Sequence, residues 1–258
     1  MNNNRYEKLV QEIISELDKL TFGFVGNNYY KVLKDTYVRT ISDIERYANG
    51  KNLKILELGA FTGVVSIALA RLGYAVTAHD IPLVMNNREL VNFFEKNGVN
   101  TIAFDLKDSP YPEADRSFDI IVACEILEHL PFNPIPVIQE LKRLLADNGV
   151  CYIATPNQAS LVHRYYLFKG KSFSNPIEHY FWALDPSSAM SVGLHWKEYT
   201  KSELLEFFGR NGLSLKEHYY CRYVSNPGSS LIRRRLVSLI YFFAPQLMQC
   251  QVGIFAKN

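Results

Sequence analysis

The residues Glu57-Leu58-Gly59-Ala60-Phe61-Thr62-Gly63 set an acid and two glycines around a turn that directly follows the apolar run Leu53 to Leu58. Gly59 and Gly63 permit a tight turn and close approach of a ligand to the backbone, which a side chain would obstruct. A strand that runs into such a turn and then into a helix carries backbone N–H groups and the positive end of a helix dipole to the carboxyl edge of a sheet. Open α/β sheets bind their ligands there. A dinucleotide site asks for G-x-G-x-x-G, and Phe61 stands where that pattern needs its second glycine, which weakens a pyrophosphate reading. Asp80 closes the next apolar run, Ala75 to His79, where two carboxylate oxygens can match two vicinal hydroxyls. The plainer alternative is a turn Asp ahead of Ile81-Pro82.

A second group with chemical capacity follows Phe118-Asp-Ile-Ile-Val-Ala-Cys124: Glu125, Glu128 and His129. At i, i+3 and i+4 they share one face if the chain turns helical there. Three readings stand side by side. Two carboxylates and an imidazole can hold a divalent cation such as Mg or Mn; His129 can act as a general base without metal; or Glu125 contacts the ligand side, Glu128 caps the next turn and His129 packs as an ordinary polar residue.

The elements that must position these groups are legible in the periodicity. Short β-rich runs at Leu53–Leu58, Ala75–His79, Thr101–Phe104, Phe118–Cys124 and Val150–Thr155 alternate with helices near Gly63–Leu72, Asn87–Asn97 and Pro136–Leu145, which predicts a parallel sheet covered on both faces. Leu9, Ile13, Leu17 and Leu20 repeat at helical spacing, and a second helix spans about Tyr29 to Tyr47 and stops at Asn49-Gly50. After Thr155-Pro156-Asn157 the alternation ceases, and the segment to Tyr199 is a long, aromatic loop of the kind that serves as a lid. Thr200-Lys-Ser-Glu203 is a capping box opening a helix that ends at Asn211-Gly212. Strands at about Ser214–Tyr223 and Gln251–Ala256 bracket a helix from Ser229 to Phe243, expected to lie buried between them.

The resulting expectation is one α/β domain over 1–258, a doubly wound, mostly parallel, seven-stranded Rossmann-like sheet. Its parts are an N-terminal helical cap (1–50), a cofactor-binding core (51–157), an aromatic lid or acceptor segment (158–199) and the last helices and strands (200–258). The 258 residues, close to half of them apolar, suffice for one sizeable core. A net charge of +2 makes a nucleic-acid partner unlikely. Arg233-Arg234-Arg235 on the last helix raises peripheral membrane contact, although its charges are contiguous in sequence. The scattered cysteines, without C-x-x-C spacing, fit a reducing, cytoplasmic setting, and neither a signal peptide nor a spanning helix is evident.

The E-x-G-x-x-x-G turn, the strand-end acids Asp80 and Asp105, the segment Phe118 to Leu130 and Leu141 to Asn157 occur in an order that resembles class I S-adenosylmethionine-dependent methyltransferases, in the branch of ubiquinone-biosynthesis O-methyltransferases. The resemblance covers Leu53 to Asn157 and extends through His195 to Leu213, where His195-x-x-x-Tyr199-Thr200 is similar to the family's lead into a late helix. It implies S-adenosylmethionine as cofactor, with Glu57, Gly59, Ala60, Phe61, Thr62, Gly63, Ile81, Leu106, Cys124 and Glu125 around it. Asp80 would accept from the ribose hydroxyls and Asp105 from the adenine amino group. It also implies a small-molecule acceptor, more readily a hydroxyl, for which His129 and His195 are the catalytic candidates. A Glu-x-x-Glu-His segment holds a metal in some quinone and small-RNA methyltransferases, and in the RNA group a later histidine completes the set, which His195 matches here. An RNA-terminal 2′-O-methyltransferase and a non-catalytic cofactor-binding scaffold are the other functions the resemblance allows.

Overall fold

Every strand of the sheet centre is apolar on both sides, and alternate residues pack on opposite faces. A computed structural model describes residues 3–20, 29–48, 53–185, 188, 190–223 and 230–258. Seven strands form one sheet: β1 (Lys54–Leu58), β2 (Ala75–Asp80), β3 (Val99–Ala103), β4 (Phe118–Cys124), β5 (Leu145–Pro156), β6 (Leu213–Cys221) and β7 (Cys250–Lys257). The order is β3-β2-β1-β4-β5-β7-β6, with β7 antiparallel to both of its neighbours and the other pairings parallel.

On one face, Ile55, Ala78, Ile120, Tyr152 and Ile254 meet α1 (Asn3–Leu17), α2 (Tyr29–Val32), α3 (Lys34–Ala48), α4 (Val64–Arg71), α5 (Pro82–Met85) and α6 (Arg88–Lys96). On the other, Leu56, Ile121, Ile153 and Phe255 meet α7 (Ile135–Leu144) and α11 (Lys201–Arg210). The N-terminal helices are more than a cap. Val10, Ile13, Leu17, Ile41 and Ile44 are buried in the first core, and α3 is tied to the far strand by a bidentate Arg46–Glu217 pair at 3.0 Å. The Asn49-Gly50 stop falls outside the described residues.

Two expectations are corrected. The 158–199 segment is not a structureless loop: it winds into three short helices, α8 (Leu161–Phe168), α9 (Ile177–Trp182) and α10 (Met190–Gly193). None of the three buries a residue, and Phe168 is 87% exposed, so local stacks such as His163–Phe173 at 4.4 Å give the segment its packing. The last helix, α12 (Leu231–Phe243), does not lie between the final strands, because β6 and β7 are hydrogen-bonded neighbours and leave no room. It bridges them from outside, with only Tyr241 buried. Its predicted first residue, Ser229, is outside the described set. The Thr200–Glu203 capping box is present in full, and Asn211 is the C-cap.

Candidate active site

The carboxyl ends of β1, β2 and β4 bring the first site together. β1 breaks at Gly59 (φ 67°), passes Phe61 (φ 51°) and enters α4 through Gly63 (φ 79°). These left-handed angles favour glycine, and a Cβ on Gly59 or Gly63 would also fall 2.0 Å from Ile126 Cδ1 or 2.2 Å from the Phe94 ring. Phe61 bears its strained conformation because its N–H donates to Asp80 Oδ2 at 2.7 Å. Ala60 N–H donates to the His79 carbonyl and Gly63 N–H to the Ala60 carbonyl. Three N–H groups of the turn are thus spent on joining β1 to β2 and closing the turn itself, which leaves no dense amide cradle of the kind a pyrophosphate asks for.

Asp80 is the polar centre of this turn. Oδ2 accepts from Phe61 and Oδ1 from Ile81 N–H at 2.8 Å, each oxygen keeping a further lone pair. Burial raises the carboxyl to about 6 against these two bonds. Glu57 lies beneath the turn, accepts from the Ser66 hydroxyl and is raised to about 8 by burial. Thr62 Oγ1 is buried with no partner among the described residues. A strand-end acid with lone pairs to spare and an orphaned hydroxyl fit the ribose of a nucleoside-bearing cofactor. Asp105 follows β3, but its carboxylate is engaged by Lys107 through the backbone N–H (3.0 Å) and the ammonium (2.9 Å). Leu106 is buried against Tyr111, and Cys124 turns its Sγ toward Thr40 on α3, 3.8 Å away.

Beyond β4 lies the second group. Glu125 is also left-handed (φ 55°), and the chain then makes a single 3-10 turn, Leu127–His129, in place of a full helix. Glu128 is fully buried; Oε2 accepts from Thr155 Oγ1 at 3.0 Å, and Oε1 has no donor group to satisfy it among the described residues, with the Glu125 carboxyl beside the side chain. His129 Nδ1 lies 3.0 Å from the Leu194 carbonyl, so Nδ1 carries the proton and Nε2 is a free lone pair, 4.0 Å from Glu128 Oε1. His195 Nδ1 likewise donates to Glu198 at 3.0 Å. The two imidazoles meet edge to face at 4.7 Å, and one ligand atom each from Glu128, His129 and His195 lie within 4.8 Å of one another.

Glu125 is the neighbour of this triad. Its Oε2 accepts from the Tyr223 hydroxyl at 2.6 Å and its Oε1 is buried with no donor group to satisfy it among the described residues. Burial pushes Glu125 up, and burial together with the Glu125 charge pushes Glu128 well above the ordinary carboxylate range. Burial, then His195, lowers His129 to about 4, so its imidazole is neutral at physiological pH. Sequence reasoning missed Tyr223, Thr155, the Leu194 carbonyl and Glu198. Only Glu198 had a local signal, standing three residues after His195.

The chain is 30% identical to a ubiquinone biosynthesis O-methyltransferase of Pelagibacter ubique over 176 residues, 65% of this chain and 64% of the relative. It is 34% identical to the Actinobacillus pleuropneumoniae protein of the same name over 125 residues, 45% of this chain and 51% of that one. The chain thus spans between half and two thirds of these two curated relatives. In fold it is similar to the magnesium protoporphyrin IX methyltransferase of Synechocystis, solved with bound S-adenosylhomocysteine (TM-score 0.57, 14% identity, 97% of this chain and 94% of that one). It is also similar to a methyltransferase of Haloferax volcanii solved with its Trm112 activator (TM-score 0.58, 15% identity, 88% and 93%). The model of the methyltransferase domain family matches residues 32–218, and the chain belongs to that family, in its class I, S-adenosylmethionine-dependent form.

Proposed function

We propose that this chain transfers a methyl group from S-adenosylmethionine to a hydroxyl of a small-molecule acceptor, with a divalent cation held by Glu128, His129 and His195 beside Glu125. The observation that carries the reading is the orientation of the two imidazoles. Each donates its Nδ1–H to a fixed acceptor, Leu194 O or Glu198, and so presents Nε2 to the cluster. Metal-ligating histidines are held this way, by a carbonyl or carboxylate on the far nitrogen. The donor set fits: buried carboxylate oxygens on Glu125 and Glu128 suit Mg or Mn, and the two imidazoles favour Mn of the pair.

S-adenosylmethionine, when bound, brings a methyl group already activated on a sulfonium, so the protein's part is alignment. Asp80 would hold the ribose hydroxyls with the lone pairs that Phe61 and Ile81 leave open. A divalent cation at the second group would lower the pKa of an acceptor hydroxyl. His129 acting alone as base is the weaker alternative, since a group lowered to about 4 has little proton affinity at neutral pH. The 158–199 helices, which present Tyr165, Phe168, Phe181 and Trp182 to solvent, would supply acceptor contacts, and 1–258 works as one unit. An RNA-terminal hydroxyl is the second reading, favoured by His195 joining the cluster.

The test is methyl-labelled S-adenosylmethionine offered with phenols, sugars, amines and short RNA, in chelator and then in added Mg²⁺ or Mn²⁺. Label on a small-molecule oxygen that is lost in chelator and restored by metal is the expected result. Full activity in excess chelator removes the cation while leaving the transfer; label on RNA alone replaces the acceptor class. Failure of S-adenosylhomocysteine to raise the melting temperature would remove the cofactor reading itself.

A further inference from the structure

The chain beyond the residues that match the family model has a charge pattern of its own. No acid follows Glu217, whereas Arg222, Arg233, Arg234, Arg235 and Lys257 do. Three of these arginines are in α12, and helical geometry separates what the sequence makes contiguous. At about 100° per residue, Arg234, Val237, Ser238 and Tyr241 fall on one seam, and these are the buried or half-buried positions of the helix. The seam faces the protein body: Arg222 donates to Ser238 Oγ at 3.1 Å and its guanidinium lies 4.7 Å over the Tyr241 ring.

Opposite the seam stand Ile232, Leu236, Leu239 and Phe243, all exposed, with Phe243 at 76%. Arg233 and Arg235 leave the axis about 100° to either side of the seam and flank this outward stripe on both shoulders. A helix on a water-facing protein turns its apolar side inward. Here the apolar side is turned outward and bordered by cations. That is the cross-section of a helix lying in a lipid interface, with apolar side chains among acyl chains and arginines on headgroup phosphates.

We propose that α12 docks the chain on the surface of an anionic lipid bilayer. Charge complementarity selects this occupant over a second copy of the chain, because headgroup phosphates match the arginines whereas a paired α12 has no acid to offer them. Its place in the fold gives the docking a consequence. α12 leaves β6 at Cys221 and rejoins at Cys250, which pair with each other, and Cys250 pairs with Pro156 at the carboxyl end of β5. The docked helix therefore borders the sheet edge that carries the turn at Gly59 and the Glu128 cluster, and holds that edge close to molecules dissolved in the bilayer.

The experiment is co-sedimentation of the full chain with phosphatidylcholine vesicles, with and without phosphatidylglycerol, alongside sedimentation velocity of the chain alone. Binding only to the anionic vesicles, weakened roughly 25-fold by the double change R233Q/R235Q at about fivefold per arginine, is expected. Leu236→Ser with Phe243→Ser should abolish binding while leaving the melting temperature unchanged, since both side chains face solvent. Absence of binding, or equal binding by wild type and both double variants, overturns the proposal. So does a concentration-dependent dimer that the apolar variants dissociate without any vesicle binding, which would assign the face to a second copy.

Discussion

The turn from Glu57 to Gly63 and the cluster around Glu128 stand on the same sheet edge, at the ends of adjacent strands β1 and β4. In the turn the polar groups are largely spent inside the protein: Ala60, Phe61 and Gly63 N–H are bonded, and both Asp80 oxygens accept. In the cluster, one buried oxygen on each of Glu125 and Glu128 has no donor group to satisfy it among the described residues, the two carboxyls face each other, and both are held above their ordinary range. Each region contains one left-handed residue that is not glycine, Phe61 or Glu125. Around Phe61 that strain is repaid by a hydrogen bond to Asp80. Around Glu125 it sets one buried carboxyl against another, that of Glu128. A binding turn can be finished in the folded protein, whereas a reactive site keeps groups unfinished until its ligands arrive.

The sharpest way to break this contrast is to neutralise one unfinished group. Glu128→Gln should lower kcat by about 10²–10⁴-fold while leaving the metal-free melting temperature nearly unchanged, because burial already favours the uncharged carboxyl and the amide keeps its shape. A parallel loss of stability and activity would make Glu128 a structural residue. The turn should answer in the opposite sense. Gly59→Ala sets a Cβ against Ile126 in a left-handed conformation and should cost about 2–4 kcal/mol in urea melts, with activity falling only as the folded fraction falls. A Gly59→Ala protein of unchanged stability would show the turn to be far looser than its geometry.

Most of the fold was readable because period-two and helical patterns survive packing. Phe118–Cys124 is a strand with the bounds its apolar run predicts, and the Thr200–Glu203 box opens α11 at the expected residue. The turn and Asp80 were readable too, being local in sequence. The cluster was only half readable. Glu125, Glu128 and His129 are close neighbours in sequence, but the partners of this cluster come from Thr155, Leu194, Glu198 and Tyr223, which only tertiary folding brings near. The exposed α12 was misread because an apolar run states how oily a helix is and not which side will be covered. Likewise the aromatic 158–199 segment showed no clear period, and its short helices rest on local stacking in place of a core.

On the binding side, Asp80→Asn retains the bonds from Phe61 and Ile81 in part but loses the charge. It should raise the KM for S-adenosylmethionine by roughly 10–100-fold, the value of hydrogen bonds to an ionised group, with kcat little changed. An effect on kcat with KM unmoved would place Asp80 with the reactive cluster and erase the division between the two regions.

The smallest effect tests the same division through pH. Burial raises Glu57 to about 8, well above its unfolded value near 4.5, so the folded state binds a proton that the unfolded state has released. The stability linked to this group is fully present below pH 4.5 and is lost as pH rises toward 8. Between pH 5 and pH 7 the loss should be about 2–2.5 kcal/mol. Glu125 and Glu128 are raised as well and slope the same way, so the wild-type curve alone does not isolate the turn. The difference between the Glu57→Gln variant and wild type does. The substituted amide keeps an oxygen for the Ser66 hydroxyl and has nothing to titrate, so the variant's advantage should be smallest at pH 5 and grow steadily to pH 8. An unchanging difference across that range would mean that Glu57 is ionised beneath the turn, and that burial does not hold its carboxyl neutral.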